Sequence, residues 1–426
     1  MLLVFISFLV FLFIGMPVGF AIGISGVIFF LQHSELPLLT IVQLPISQTQ
    51  NVTLLAVPLF IFAGNLMNSS GITDRLIKLS MLLAGHMKGG MAQVSVVLST
   101  LMGGCSGSSN ADAAMESRIL GPEMERQGYP RGFSAAVIAY TSLITSTIPP
   151  GVGMLLYGTV GEVSIGRLFA AGIVGGVILM AVMMITVAII SNKRGFKPAR
   201  EKRAPLKEIF SSLKETIWAL IFPFVLIGSL RLGIFTPTEV GAFACMYALI
   251  IGFFVYKDLN WNTLKKTMQE AVRDMGAIMY LIAMAGIFGY GIPIDKIPQK
   301  MTALIIGIST NPIIVISIVI LFLILFGMFM EGSVIILLLT PILLPLIKEI
   351  GVDPVLFGVV MSVIVTMGIC TPPVGVAMYI VLGTLRCKLE DYVKESIPFL
   401  FAAIITVILY FIFPDILLFL PNIIYG

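Results

Sequence analysis

The chain has 426 residues, 58% of them hydrophobic and 11% charged, and a net charge of +4. A soluble protein carries about 25% charged residues, so lipid must solvate most of this chain, and the composition predicts an all-α polytopic membrane protein. The small, dispersed charge argues against a nucleic-acid binder. Two histidines (His33 and His86) exclude a histidine-rich metal site, and four cysteines without a CxxC pair argue against a disulfide framework or zinc site.

A spanning helix needs about 20 mostly apolar residues. The stretch 2–31 lacks a basic n-region and a cleavage site, which predicts one retained crossing rather than a signal peptide. Its Gly15-Met16-Pro17-Val18-Gly19 run predicts a kink and a GxxxG helix contact. Residues 1–49 thus read as an N-terminal scaffold helix and its connection. A first unit, 50–192, opens on an apolar span at 50–69 and closes on one at 168–192. Between these spans, apolar segments are short and broken, at Gly103-Gly104-Cys105-Ser106-Gly107-Ser108-Ser109-Asn110 and at Thr147-Ile148-Pro149-Pro150-Gly151. We expect a re-entrant hairpin at about 90–125 and a broken helix at about 132–160. A basic cytoplasmic linker, 193–211, follows. The scaffold region 212–274 contains spans 212–232 and 237–256 and ends on an amphipathic brace at 258–274, with a weaker counterpart at 71–84. The last unit, 275–426, contains spans 276–292 and 396–415, a hairpin at about 312–350 and a broken helix at about 354–385.

The two broken regions match. Gly104 and Gly327, Pro122 and Pro345, Gly128 and Gly351, and the two Pro-Pro pairs are all 223 residues apart. Five predicted crossings separate the starts of the two copies. Five is odd, so the second copy runs upside down. Counting crossings also places 21 of the 26 basic residues on one side, which satisfies the positive-inside rule. Inverted repeats with discontinuous helices are a transporter signature, with ion and substrate sites near the midplane. An ion or solute channel is the alternative, and it would need a continuous polar path. Gly104-Cys105-Ser106-Gly107-Ser108 does not satisfy G-x-S-x-G, and no enzyme activity is expected.

Helix-breaking backbone at membrane depth must face protein or a wet cavity. Proline lacks an N–H and frees upstream carbonyls. Such oxygens, with Ser and Thr hydroxyls, suit Na+. Half-helix N-termini suit a carboxylate. Ser108, Asn110 and Thr147 stand beside these breaks and, with Asp112 and Glu331, are the expected substrate contacts. Asp112 and Glu331 are ionisable residues near the two tips and therefore functional candidates.

At these residues the chain resembles the large membrane subunit of tripartite ATP-independent periplasmic (TRAP) transporters. The stretch from Gly103 to Ala114 with Ile148-Pro149-Pro150 is similar to the family's first hairpin and break. Gly327-Met328-Phe329-Met330-Glu331 with Thr371-Pro372-Pro373-Val374-Gly375 is similar to its second. The resemblance implies an elevator-type fold, sodium-driven uptake of an organic acid (sialic acid or a C4-dicarboxylate) and a bacterial inner-membrane location. It implies two protein partners, a small four-helix membrane subunit in a separate chain and a periplasmic binding protein. It also implies one sodium site at Gly103, Ser106, Thr145, Ile148 and Pro150, and another at Gly327, Gly368, Thr371 and Pro373. Gly151 stands where Ser is common in the family, and Glu331 where Asp is common.

Overall fold

The computed structural model describes residues 1–309 and 311–426. Among them it contains twenty α-helices, one π-helical turn and no strand.

The first apolar stretch does not cross in one pass. Helices α1 (Leu2–Phe13) and α2 (Val18–Gln32) flank a reversal in which Gly15 takes φ +89°. Pro17 has no N–H to continue the ladder, and glycine reaches that φ without a β-carbon penalty. The ends of this hairpin meet at Asp295: the Met1 amine lies 2.6 Å from it and His33 Nε2 3.6 Å. The expected GxxxG contact also moves one turn along. Gly19, Gly23 and Gly26 of α2 pack on α13 (Trp261–Ile294), where a β-carbon at Gly26 would lie 2.7 Å from the Phe288 nitrogen. Small residues bring helix backbones together where lipid offers no hydrophobic drive to pair them. The charge asymmetry is untouched, because the first basic residue is Arg75.

Next come α3 (Leu39–Thr49), α4 (Ala56–Ser69) and α5 (Ile72–Ala84). Arg75 of α5 reaches Asp258 at 2.6 Å and lies over the Tyr256 ring at 4.2 Å. The hairpin is α6 (Gly90–Gly103) and α7 (Ser109–Arg126), and the broken helix is α8 (Arg131–Thr147) and α9 (Val152–Val160). The α8–α9 pair bends by 44°. The long helices α10 (Ile165–Arg194), α11 (Leu206–Arg231) and α12 (Pro237–Ile250, extended by a π turn at Ile251–Val255) follow. The stretch 258–274, read from sequence as a brace lying on the surface, is instead the start of the 34-residue α13. Asn260 caps that helix by accepting from the Thr263 N–H, and no Pro interrupts it before Pro293.

The second copy continues with α14 (Ile297–Ile308), α15 (Pro312–Gly327), α16 (Gly332–Glu349), α17 (Pro354–Ile369), α18 (Val376–Leu385), α19 (Leu389–Ile412) and α20 (Pro414–Tyr425). Shifted by 223 residues, α7 coincides with α16 at both ends, and the first residue of α8 coincides with that of α17. The end signals coincide too. Gly128 and Gly351 both take the left-handed conformation, at φ +83° and +76°. The next residues donate back into the last turn, Tyr129 to Met124 and Val352 to Ile347. This is the glycine-stopped helix end that gives carbonyls of the last turn new donors.

Packing between the copies is reciprocal: α7 lies on α18, α16 lies on α9, and α8 crosses α17. A two-fold relation requires that reciprocity, since it exchanges α7 with α16 and α18 with α9. Nearly every residue of α8 and α17 is buried, so the two broken helices form the centre of the molecule. Among the described residues, six helices are long and apolar enough to cross a membrane, or seven if the bent α8–α9 pair counts as one span.

Candidate functional site

The proline pairs act as the sequence logic requires. Pro149 and Pro150 cannot donate to the Thr145 and Ser146 carbonyls four residues earlier. Pro372 and Pro373 likewise cannot donate to those of Gly368 and Ile369. Backbone beyond the first break is extended, with Ile148 at ψ 133° and Gly151 at ψ 125°. Both Pro-Pro bonds are cis.

Each hairpin tip sits against the break of its own copy. A β-carbon on Gly103 would lie 2.7 Å from Ile148 Cβ and 3.2 Å from Thr145 Cα, and one on Gly107 would meet the Pro150 carbonyl. Gly103, Thr145, Ile148 and Pro150 therefore converge on one tip. Ser106, on the same tip, has a buried Oγ with no hydrogen-bond partner. An unpaired buried hydroxyl costs free energy unless something binds it. With the released carbonyls it forms a hard-oxygen donor set of the kind a small cation takes.

In the second copy Gly327 and Gly368 meet backbone to backbone. A β-carbon on Gly327 would lie 3.0 Å from Gly368 Cα. Thr371 joins them, its Oγ1 donating to the Gly368 carbonyl at 2.9 Å. Pro373 is adjacent in sequence, but its carbonyl already accepts from the Tyr379 hydroxyl at 3.0 Å.

Between the two tips lies a cavity of about 430 Å³. It receives Ser106 to Ala111 from the first tip, Glu331 to Ser333 from the second, and residues of both broken helices. Three helices begin at its wall, α7, α9 and α16, and their N–H groups favour an anion there. Among the described residues, no Lys, Arg or His lines it.

Of the proposed substrate contacts, Ser108, Asn110 and Glu331 line this cavity and Asp112 and Thr147 do not. Asp112 is buried behind the tip, where its Oδ2 accepts from Thr145 Oγ1 at 2.6 Å. Thr147 turns back into its own helix and donates to the Leu143 carbonyl at 2.8 Å. Asn110 Oδ1 is buried without a partner.

Sequence reasoning missed the wall supplied by α4 and α13. Asn65, Asn68 and Asp274 line the cavity, and Asn65 donates to Asp274 at 3.0 Å. Two asparagines three residues apart in an otherwise apolar helix were the available signal. Also missed was the bond from Ser146 to Thr366, 3.0 Å, which ties the two broken helices across the repeat boundary.

Residues 5–416 match the family model described as "Tripartite ATP-independent periplasmic transporter, DctM component". The chain is 34% identical over 408 residues to a putative TRAP transporter large permease protein of Haemophilus influenzae, covering 95% of each. It is 33% identical to a sialic acid TRAP transporter large permease protein of Vibrio cholerae, covering 97% of each. It is 31% identical to a C4-dicarboxylate TRAP transporter large permease protein of Pseudomonas aeruginosa, covering 94% of each. In fold it is similar to the efflux pump MtrF of Neisseria gonorrhoeae, with TM-score 0.58 at 14% identity, covering 88% of this chain and 84% of that one. With its paired hairpins, its paired breaks and a family match that spans nearly its whole length, the chain belongs to the DctM family, the large inner-membrane permease subunits of TRAP transporters.

Proposed function

We propose that this permease uses an inward sodium gradient to drive uptake of a small carboxylate-bearing solute. A periplasmic binding protein delivers the solute, and a separate small membrane subunit braces the scaffold. The observation that carries this reading is the cavity between the two tips, flanked by two breaks at which proline withholds the N–H that a continuous helix would donate four residues back. Cations at the two tips would order the ends of α7 and α16, whose N-termini then receive the carboxylate. Coupling free energy is the difference in solute affinity with and without sodium. The hairpins and broken helices form the moving body of an elevator, against the long helices α10 to α12 and α19. Relatives named for sialic acid and for C4-dicarboxylates are almost equally similar, and the chemistry these solutes share is the carboxylate.

The test is uptake into proteoliposomes that hold this subunit with its small membrane partner, supplied with the loaded binding protein. Uptake is expected under an inward sodium gradient and is expected to be absent when potassium replaces sodium. Equal uptake in both salts would overturn the coupling. Uptake that never saturates and needs no binding protein would favour a channel.

A further inference from the structure

The wall that α4 and α13 give the cavity bears on what the solute carries besides its carboxylate. This wall adjoins the first tip. A β-carbon on Gly64 would lie 2.9 Å from the Ser106 carbonyl oxygen, and Asn65 is the next residue. Asn65 and Asn68 stand three residues apart on α4 and so share a face. Asn65 Nδ2 donates to Asp274 Oδ2 of α13 at 3.0 Å, which commits the donor end of that amide to the protein.

What remains on the wall is mostly acceptor. Among the described residues, Asn65 Oδ1 and Asp274 Oδ1 accept no hydrogen bond, and Asn68 Oδ1 is buried without a partner. Ser362 of α17, 3% exposed, adds a hydroxyl to the cavity that has no partner either.

A second carboxylate on the solute would find little here. An ionised carboxylate has no hydrogen to donate. It would face Asp274 and Glu331, the two acids of the lining, with no Lys, Arg or His among the described residues to offset them. The helix starts offer it no second seat, because Glu331 already stands as the N-cap residue of α16. Like charge set against the wrong solute selects as effectively as attraction for the right one. Hydroxyl groups meet the wall differently. Each has one hydrogen to give and lone pairs to accept with, which suits a carboxylate and amides side by side. An ammonium group would donate to Asp274 but could accept nothing from the Asn68 amide. The volume, about 430 Å³, lies within the ordinary range for small-molecule sites and leaves room for several hydroxylated carbons.

We propose that the solute is a polyhydroxylated monocarboxylate, a sugar acid, whose carboxylate lies at the tips and whose hydroxyls donate to Asp274, Asn65 and Asn68. The inference rests on the carboxylate reading of the cavity and deepens it. It does not depend on which ion drives transport.

The test is solute binding to the membrane complex of this subunit and its small partner, in saturating sodium and without the binding protein, so that only the permease selects. Stabilisation against thermal melting is titrated with D-gluconate, D-galactonate and D-glucuronate, with the diacids succinate and L-malate, with γ-aminobutyrate, and with the neutral polyol sorbitol. At least one sugar acid should act at a concentration tenfold or more below that needed by either diacid or by γ-aminobutyrate. Asp274→Ala should raise the concentration which that sugar acid needs roughly tenfold, the usual cost of losing a hydrogen bond to a charged group, and should not weaken succinate. Asn68→Ala, on the other helix, should act in the same direction, and solute-free melting checks that both variants fold. A diacid or γ-aminobutyrate as effective as every sugar acid, no response to any sugar acid, or folded variants that bind the sugar acid as wild type does, overturns the proposal and leaves the carboxylate reading standing. Sorbitol as effective as the sugar acids overturns the carboxylate reading and this inference with it.

Discussion

Gly368→Ala tests most sharply whether the second tip and its break form one cation site. A β-carbon there would fall on the Gly327 backbone and lie 2.8 Å from its carbonyl oxygen. Backbone cannot swing aside as a long side chain can, so the tip must back away from the break. Overpacking of this kind costs about 1–3 kcal/mol. If the cost falls on the arrangement that binds the ion, the half-saturating sodium concentration rises roughly 5- to 150-fold. The assay is the sodium dependence of initial uptake in proteoliposomes, with thermal melting of the purified protein to confirm folding. Gly289→Ala is the control, because a β-carbon there meets nothing within 4 Å. A folded Gly368→Ala variant with wild-type sodium dependence would refute the reasoning.

Other consequences concern the first tip and the one partly exposed thiol. Ser106→Ala removes a hydroxyl that has no protein partner and should weaken sodium dependence by a factor of about three, whereas Pro150→Ala gives the Ser146 carbonyl its donor back and should weaken it more. Half-saturation measurements in the reverse order would contradict the carbonyl account. Cys387 lies between α18 and α19, and burial, helped by nearby Asp391, pushes its thiol above the ordinary range. The thiolate is the reactive form, so alkylation should become fast only above the pH that activates a free thiol, about 8.5. The rate of iodoacetamide labelling against pH checks this, and a midpoint at or below that of a free thiol would refute it. The other three cysteines are buried and should label slowly throughout.

How much of this was legible in the sequence depended on whether local chemistry or long-range packing decided an element. The hairpins and breaks were legible because Gly128, Gly351 and the proline pairs act on their own neighbours: glycine stops a helix and proline frees a carbonyl wherever they occur. The α1–α2 hairpin was not. Gly15 and Pro17 signal a bend, but a kinked crossing and a full reversal look the same locally. The choice was made by distant partners on α13, where Phe288 packs edge-on against Phe5 and Phe8. The brace at 258–274 failed for a related reason. Its charges suggested a surface helix, yet nothing in Trp261 to Ile292 breaks the ladder, so it runs straight into the span. At the site, attention to broken segments found Ser108, Asn110 and Glu331. It passed over Asn65, Asn68 and Asp274, because unbroken helices carry no local mark of facing a cavity.

The central claim is that the two copies are oppositely oriented in the membrane, and one labelling experiment addresses it. Arg126 and Glu349 end α7 and α16, occupy equivalent positions 223 residues apart and are both exposed. Single cysteines at each, in a background without native cysteines, are treated with an impermeant maleimide in right-side-out and inverted vesicles. The account predicts opposite sidedness, with position 126 reached only from the cytoplasmic face and position 349 only from the periplasmic face. Labelling of both positions from the same face would contradict it.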